Sequence, residues 1–150
     1  MSRLHHYNKT TRTKLKEKIE SLPGQVFKRE DLSHDHSNRE QLHLNRALKA
    51  FIEDGLITKI GHGLYAKAEI MSFKNGRKKL VLRESFEDVV MEAFNKMGIK
   101  WELGTAIQEY NRGNTTQVPS SFIIKLKNRF RGKIQAEGRT VIFEDNTNAR

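Results

Sequence analysis

The stretch from Ser37 to Lys67, SNREQLHLNRALKAFIEDGLITKIGHGLYAK, constrains the fold more than any other part of the chain. Ser37 and Glu40 fit the S-x-x-E capping box, in which each side chain satisfies an orphan amide of the other. Leu44, Ala47, Leu48, Phe51 and Ile52 then fall on one stripe of a helix, and Gly55 is placed to end it. LITKI and LYAKA follow as two short strands around Gly61-His62-Gly63, where glycine supplies the backbone freedom a tight turn requires. Upstream, TTRTKLKEKIESLPG sets Leu15, Ile19 and Leu22 at helical spacing and stops at Pro23-Gly24. KREDL, after Val26-Phe27, reads as a short helix that HDHS breaks.

Three helices followed by a two-stranded hairpin is the order of a winged helix-turn-helix. The hairpin is then the wing, set beside the third helix so that both touch one duplex, and the third helix enters the major groove by its N-terminal part. Its apolar stripe docks on the first two helices, leaving Arg39, Gln41, Asn45, Arg46 and Lys49 nearer solvent as candidate base readers. Gln and Asn pair bidentately with adenine, and Arg with guanine. Ser37 at the helix tip, with Lys59, His62 and Lys67 on the hairpin, suits phosphates or an adjacent minor groove.

Charge points the same way. The 150 residues carry 28 Lys/Arg against 18 Asp/Glu, a net +10. Residues 1–84 hold 18 basic and 10 acidic side chains, and residues 85–150 hold 10 and 8. Such a surplus fits a polyanionic partner, most often nucleic acid. No apolar run suggests a membrane span, and MSRLHHYNK has no signal-like apolar core. With no cysteine, disulfides and thiolate metal sites are excluded, and the reading is a cytoplasmic protein without a membrane partner.

Beyond the hairpin, residues 71–84 read as a basic linker, with Lys78 and Lys79 as further backbone contacts. Ser85-Phe86-Glu87-Asp88 opens an amphipathic helix through Phe86, Val89, Val90, Ala93, Phe94 and Met97, ended by Gly98. That helix serves either a homodimer interface or a core. A short helix around Gly104–Tyr110, a strand in FIIKLKNRF and a last strand in TVIFED complete a small domain over 85–146, with NTNAR as a frayed tail. Lys125, Lys127, Arg129, Arg131 and Lys133 alternate with Ile124, Leu126 and Phe130, with Asn128 as the exception, which would place cations on one strand face as either a second surface tracking phosphates or a solvated face. Trp101, Phe94 and Phe122 read as core rather than as stacking platforms.

Catalytic and metal chemistry find little support. His34 and His36 flank Asp35, but no third ligand stands at a fixed spacing; His5-His6 sits in the terminus. The acid pairs Glu87-Asp88 and Glu144-Asp145 are sequence neighbours, whereas general acid–base work needs acids converging across a pocket. There is no P-loop and no G-x-S-x-G. The expectation is a non-enzymatic protein with no cofactor and no metal.

Two sets of residues carry a family resemblance. Val26-Phe27, Ala47-Leu48, Asp54-Gly55-Leu56-Ile57 and Gly63-Leu64-Tyr65 resemble the N-terminal winged helix of AbiEi-type antitoxins and the related DUF6088 proteins. Thr115-Thr116-Gln117-Val118-Pro119 resembles the TQVP stretch of their C-terminal part. The resemblance implies a bacterial or mobile-element DNA-binding regulator, typically the antitoxin of a type IV pair that represses its own operon. It also implies a neighbouring-gene toxin resembling a nucleotidyltransferase. The C-terminal part is short for the antitoxins proper, so DUF6088 is the nearer likeness. The sequence thus predicts an α+β chain: a winged helix-turn-helix over 10–70, a linker over 71–84 and a small α+β domain over 85–146. Its function is double-stranded DNA binding as a transcriptional repressor. The alternatives are a protein-interaction module and an RNA-binding protein.

Overall fold

The computed structural model describes the backbone of residues 3–144 and the side chains of residues 12–144. The side chains of His5 and His6, Asp145 and the NTNAR tail fall outside that range. The chain is mixed α+β with four α-helices and several sheets. Helix α1 (Arg3–Ser21) leads to strand β1 (Val26–Lys28), a 3-10 turn (Arg29–Asp31) and helix α2 (Asn38–Glu53). Strands β2 (Ile57–Gly61), β3 (Leu64–Ser72) and β4 (Lys78–Leu82) follow, then helix α3 (Phe86–Lys96). The C-terminal part contains β5 (Trp101–Leu103), α4 (Thr105–Asn111), β6 (Ile123–Leu126) and the short strands β7 (Gln135–Ala136), β8 (Arg139–Thr140) and β9 (Ile142–Phe143). No helix among the described residues is long and apolar enough to cross a membrane.

Helix α2 starts where its cap signal stands, with one substitution of partner. Ser37 Oγ accepts the Glu40 amide at 3.3 Å, but the reciprocal bond of the expected box is made by Asp35. Its carboxylate accepts the Ser37 amide at 2.9 Å, because an Asp two residues upstream closes a shorter ring than Glu40 would. Gly55, at φ +76, ends the helix in the left-handed conformation that glycine adopts without penalty. The KREDL segment is a single 3-10 turn rather than an α-helix.

Strand β3 organises the rest. It pairs antiparallel with β1 on one side and β2 on the other, and its second half pairs with β4. Its side chains alternate between two cores, as the period of a strand requires. Tyr65 joins Phe27, Ile57, Leu44, Leu48 and Phe51 beneath α1 and α2, and its ring stacks on Phe27 at 5.7 Å. Leu64 and Ala66 face the other way, with Val26 and Ile60, against Val90, Phe94 and Ile124. One sheet is therefore covered by helices on one face and by the C-terminal part on the other.

Two corrections to the sequence reading follow. Residues 78–82 form β4, where a linker was expected, because Ser72↔Lys78 through Ala68↔Leu82 are paired in register. The two halves also share a core instead of standing apart. Glu92 of α3 accepts the amide of Gln25 at 2.8 Å and that of Val26, so α3 is hydrogen-bonded to the start of β1. The apolar face of α3 is spent inside the chain: Val89, Val90, Ala93 and Phe94 are all buried. Phe94 is fully buried, and Trp101 and Phe122 pack against the same cluster as partly buried residues.

A truncation ending at residue 70 should fail to fold to a native monomer, since Val26, Ile60, Leu64 and Ala66 would lose their cover. Strong dye binding and a broad thermal transition are expected, and a sharp cooperative melt of that fragment would contradict the shared core. A second expectation concerns acid. The Arg83 guanidinium, hydrogen-bonded at 2.9 and 3.0 Å, holds Glu20 below its ordinary value near 4.5. A lowered carboxylate stabilises the fold above that value and loses the contribution as pH falls through the folded pKa. The pair is partly exposed, so Glu20→Gln should cost about 0.5 kcal/mol or less at neutral pH. In chemical denaturation at graded pH, the difference from the parent should vanish at the acid end.

Candidate nucleic-acid interface

Arg29, in the 3-10 turn, fixes how α2 stands relative to the β2–β3 hairpin. Its backbone amide donates to Gly63 O at the hairpin tip over 3.1 Å. Its guanidinium donates to Gln41 Oε1 from Nε at 2.9 Å and from Nη2 at 2.8 Å, and to Gln41 O at 3.1 Å. Gln41 in turn donates from Nε2 to Asp35 O at 2.8 Å. The turn before α2, the first turn of α2 and the hairpin tip are thus joined through two side chains. Charge-assisted bonds of this kind contribute about 1.5–3 kcal/mol each.

The outer face of α2 is open. Arg39, Asn45, Arg46 and Lys49 are exposed, and Ser37, Asn38 and Arg39 leave the helix tip uncovered. Arg39, Leu42, Arg46 and Lys49 fall within about 80° of one another around the helix axis. On the hairpin, Lys59 and His62 are exposed. Lys59 pairs with Tyr65, which lies in the core under α1 and α2, so its side chain leaves the sheet on the face where α2 packs. The helix stripe and Lys59 therefore share one side of the sheet. Gly63, at φ +63 with nothing near its missing Cβ, turns the tip without obstruction. Gly61 is closed in instead, since a Cβ there would lie 3.0 Å from Lys133 O.

Not every expected contact residue is available. Lys67 is buried at 5% exposure, and its Nζ donates to Leu22 O at 2.8 Å and Glu20 O at 3.4 Å. It faces the last turn of α1, where carbonyls lack helical partners and a cation is favoured. That is a structural role, and it removes Lys67 from the phosphate contacts. Gln41 is likewise committed to Arg29 and Asp35, so it positions α2 rather than presenting a free amide. Ser37 is engaged as the cap of α2.

The C-terminal basic run is also reduced. Strand β6 ends at Leu126, so the alternation does not continue and Arg129 stands on an exposed irregular segment. Lys125 Nζ lies 3.1 Å from Glu144 Oε2, and Lys127 Nζ lies 3.8 Å from Glu102 Oε2. The Thr105 amide is the first cause that holds Glu144 below the ordinary carboxylate range, with Lys125 adding to it. By contrast Arg39, Arg46, Lys49, Lys59, Lys78 and Lys79 form no ion pair among the described residues.

The sequence reading passed over Leu42, which is 49% exposed in the middle of the cationic stripe. Its position about 200° from Leu44 around the helix was the available signal. Arg29 was missed as well, because a bond spanning 12 residues leaves no local pattern. His34 and His36 lie in the exposed turn before α2, with Asp35 turned to Ser37, whose amide holds that carboxyl below its usual range. Among the described residues no three His, Asp or Glu side chains group as a metal ion would need. The Thr115–Pro119 segment is irregular, with Val118 exposed.

Comparison with known proteins leaves the geometry to speak alone: no family profile, no curated sequence and no solved structure matches the chain.

The role given to Lys67 is directly checkable. Lys67→Ala should cost about 1–3 kcal/mol in urea unfolding, because two carbonyls lose their donor. Its affinity for DNA, measured under folding conditions, should stay at the parent value. A stable variant with weakened DNA binding would return Lys67 to the phosphate contacts.

Proposed function

We propose that the chain is a sequence-specific double-stranded DNA-binding regulator whose N-terminal half acts as a winged helix, with α2 as the reading helix and the β2–β3 hairpin as the wing. The observation that carries this reading is a set of exposed, unpaired cations on the side of the sheet where α2 packs. Cations on the outer face of α2 and on the hairpin stand exposed and without ion pairs among the described residues, while Lys125 and Lys127 are paired. Unpaired cations on one side of a rigid frame keep their full attraction for phosphates, whereas paired ones must first break a bond.

Within this reading the side chains divide by task. Arg46 and Asn45 point from the exposed face of a helix that fits a major groove, Arg toward guanine and Asn toward adenine. Leu42 between Arg39 and Arg46 offers apolar contact to a thymine methyl. Arg39, Lys49, Lys59 and His62 hold the backbone and set the register. The likeness to AbiEi-type antitoxins adds autorepression as the biological setting, and the natural target is DNA upstream of the chain's own gene.

Gel shifts with that upstream DNA and a scrambled control test the reading. Arg46→Ala should cost about 1–3 kcal/mol on the specific duplex and much less on the scrambled one. Lys59→Ala should weaken both alike and lower the salt slope by about 1. Equal losses for both variants on both duplexes would remove the base-reading role from α2. Tighter binding to structured RNA at matched salt would turn the assignment to RNA.

A further inference from the structure

The β3–β4 hairpin is left over once α2 and the wing have been assigned. It carries Phe73 at 46% and Met71 at 45% exposure, together with Lys74, Arg77, Lys78 and Lys79, none of them ion-paired among the described residues. The tip is tightly built. The Phe73 amide donates to Arg77 O at 2.8 Å, Gly76 N donates to Phe73 O at 3.0 Å, and Asn75 Oδ1 accepts the Arg77 amide at 3.0 Å. Gly76, at φ +82, makes the left-handed turn. Ile70, Met71 and Phe73 are exposed apolar side chains close together in the chain and rimmed by these cations, a combination that marks interaction surfaces.

We propose that this hairpin is a second DNA-binding element, an arm that enters a minor groove beside the site read by α2, with Phe73 as an apolar wedge between base steps and the four cations on the flanking phosphates. The proposal rests on the DNA-binding reading above and adds a groove and a residue to it. Three observations favour duplex DNA as the occupant. First, the tip concentrates like charge, which opposes pairing with a second copy of itself and attracts a polyanion. Second, the hairpin adjoins the C-terminal end of α2, where Ile70 Cδ1 lies 2.5 Å from the place a Cβ of Gly55 would take. A duplex lying along α2 and past that end would meet the arm. Third, the wing and the arm are the two ends of one strand. Nine residues of β3 separate their turns, a span of roughly 27–30 Å. That approaches the one helical turn, about 34 Å, between successive minor grooves on one face of B-DNA.

A short ribbon with cations and one apolar residue at its end is suited to a narrow groove. Arg and Lys are drawn to the potential there, and an apolar side chain that unstacks one base step kinks the duplex. The arm would thus bend DNA, whereas α2 and the wing require no bend.

The test uses the full chain, duplex DNA from upstream of its own gene, gel shifts for affinity and end-to-end energy transfer for bending. The parent protein should bend the duplex by at least about 20°. Phe73→Ala should abolish the bend and lower affinity by roughly tenfold, while Phe73→Leu restores much of both. Arg77→Ala with Lys78→Ala should lower the salt slope by about 2. Arg46→Ala should weaken binding but leave the bend of the remaining complex intact. Phe73 is exposed, so circular dichroism should match the parent in each arm variant. Arm variants that bind and bend like the parent while Arg46→Ala weakens binding would overturn the arm and spare the regulator reading. No binding of any duplex by the parent would overturn both. Phe73-dependent binding to phosphatidylglycerol vesicles, or a Phe73-dependent dimer in sedimentation, would assign the tip to a lipid surface or to a second copy and overturn it as well.

Discussion

Arg29 is the residue on which the geometry of the candidate interface depends. Its main chain holds the hairpin tip through Gly63 O, and its side chain holds α2 through Gln41. The residues around this end of α2, from His34 to Glu40, are polar and exposed. A guanidinium is suited to the task because its planar fork grips one amide oxygen with two N–H groups while a third bond reaches the main chain. Under the proposed function a helix and a hairpin that meet one duplex need a fixed mutual angle, and this bond set ties the first turn of α2 to the hairpin tip.

The frame behind that corner is the β1–β3–β2 sheet, and its unusual feature is that both faces are covered. Leu64 and Ala66 occupy the face turned toward α3, and Tyr65 the face turned toward α2. Ala66 is small and fully buried, which lets two layers approach the same strand. The C-terminal half is therefore part of the support of the N-terminal half. Glu92 makes this more than apolar contact, because its carboxylate satisfies the Gln25 and Val26 amides at the start of β1.

Electrostatics follows from the same layering. Where the halves meet, opposite charges are brought together: Arg83 with Glu20 and Lys96 with Asp31. In the C-terminal part Arg139 pairs with Glu87 and stacks over Phe86 at 4.6 Å. Some acidic side chains are taken up in these bonds, while exposed cations without ion pairs among the described residues stand on α2, on the β2–β3 and β3–β4 hairpins, on α1 and at Lys100, Arg129, Arg131 and Lys133 of the C-terminal part. A net charge of +10 says only that a polyanion is favoured.

Much of the local structure was legible in the residue order. Ser37 and Ser85 mark the starts of α2 and α3, Gly55 and Gly98 their ends, and the stripe from Leu44 to Phe51 its buried face. These signals act within one or two turns of chain, so a sequence carries them openly. The hairpin over 72–78 had its own signal in Asn75-Gly76, which the basic composition around it obscured. What the tertiary structure alone decided was the fate of side chains whose partners lie far along the chain. Lys67 meets the end of α1, Lys125 meets Glu144, and Gln41 meets Arg29. A lysine on a strand looks the same in sequence whether it caps a helix, pairs with an acid or waits for a phosphate. Only the fold brings the second charge or carbonyl to between 2.8 and 3.8 Å and so settles which of these it does.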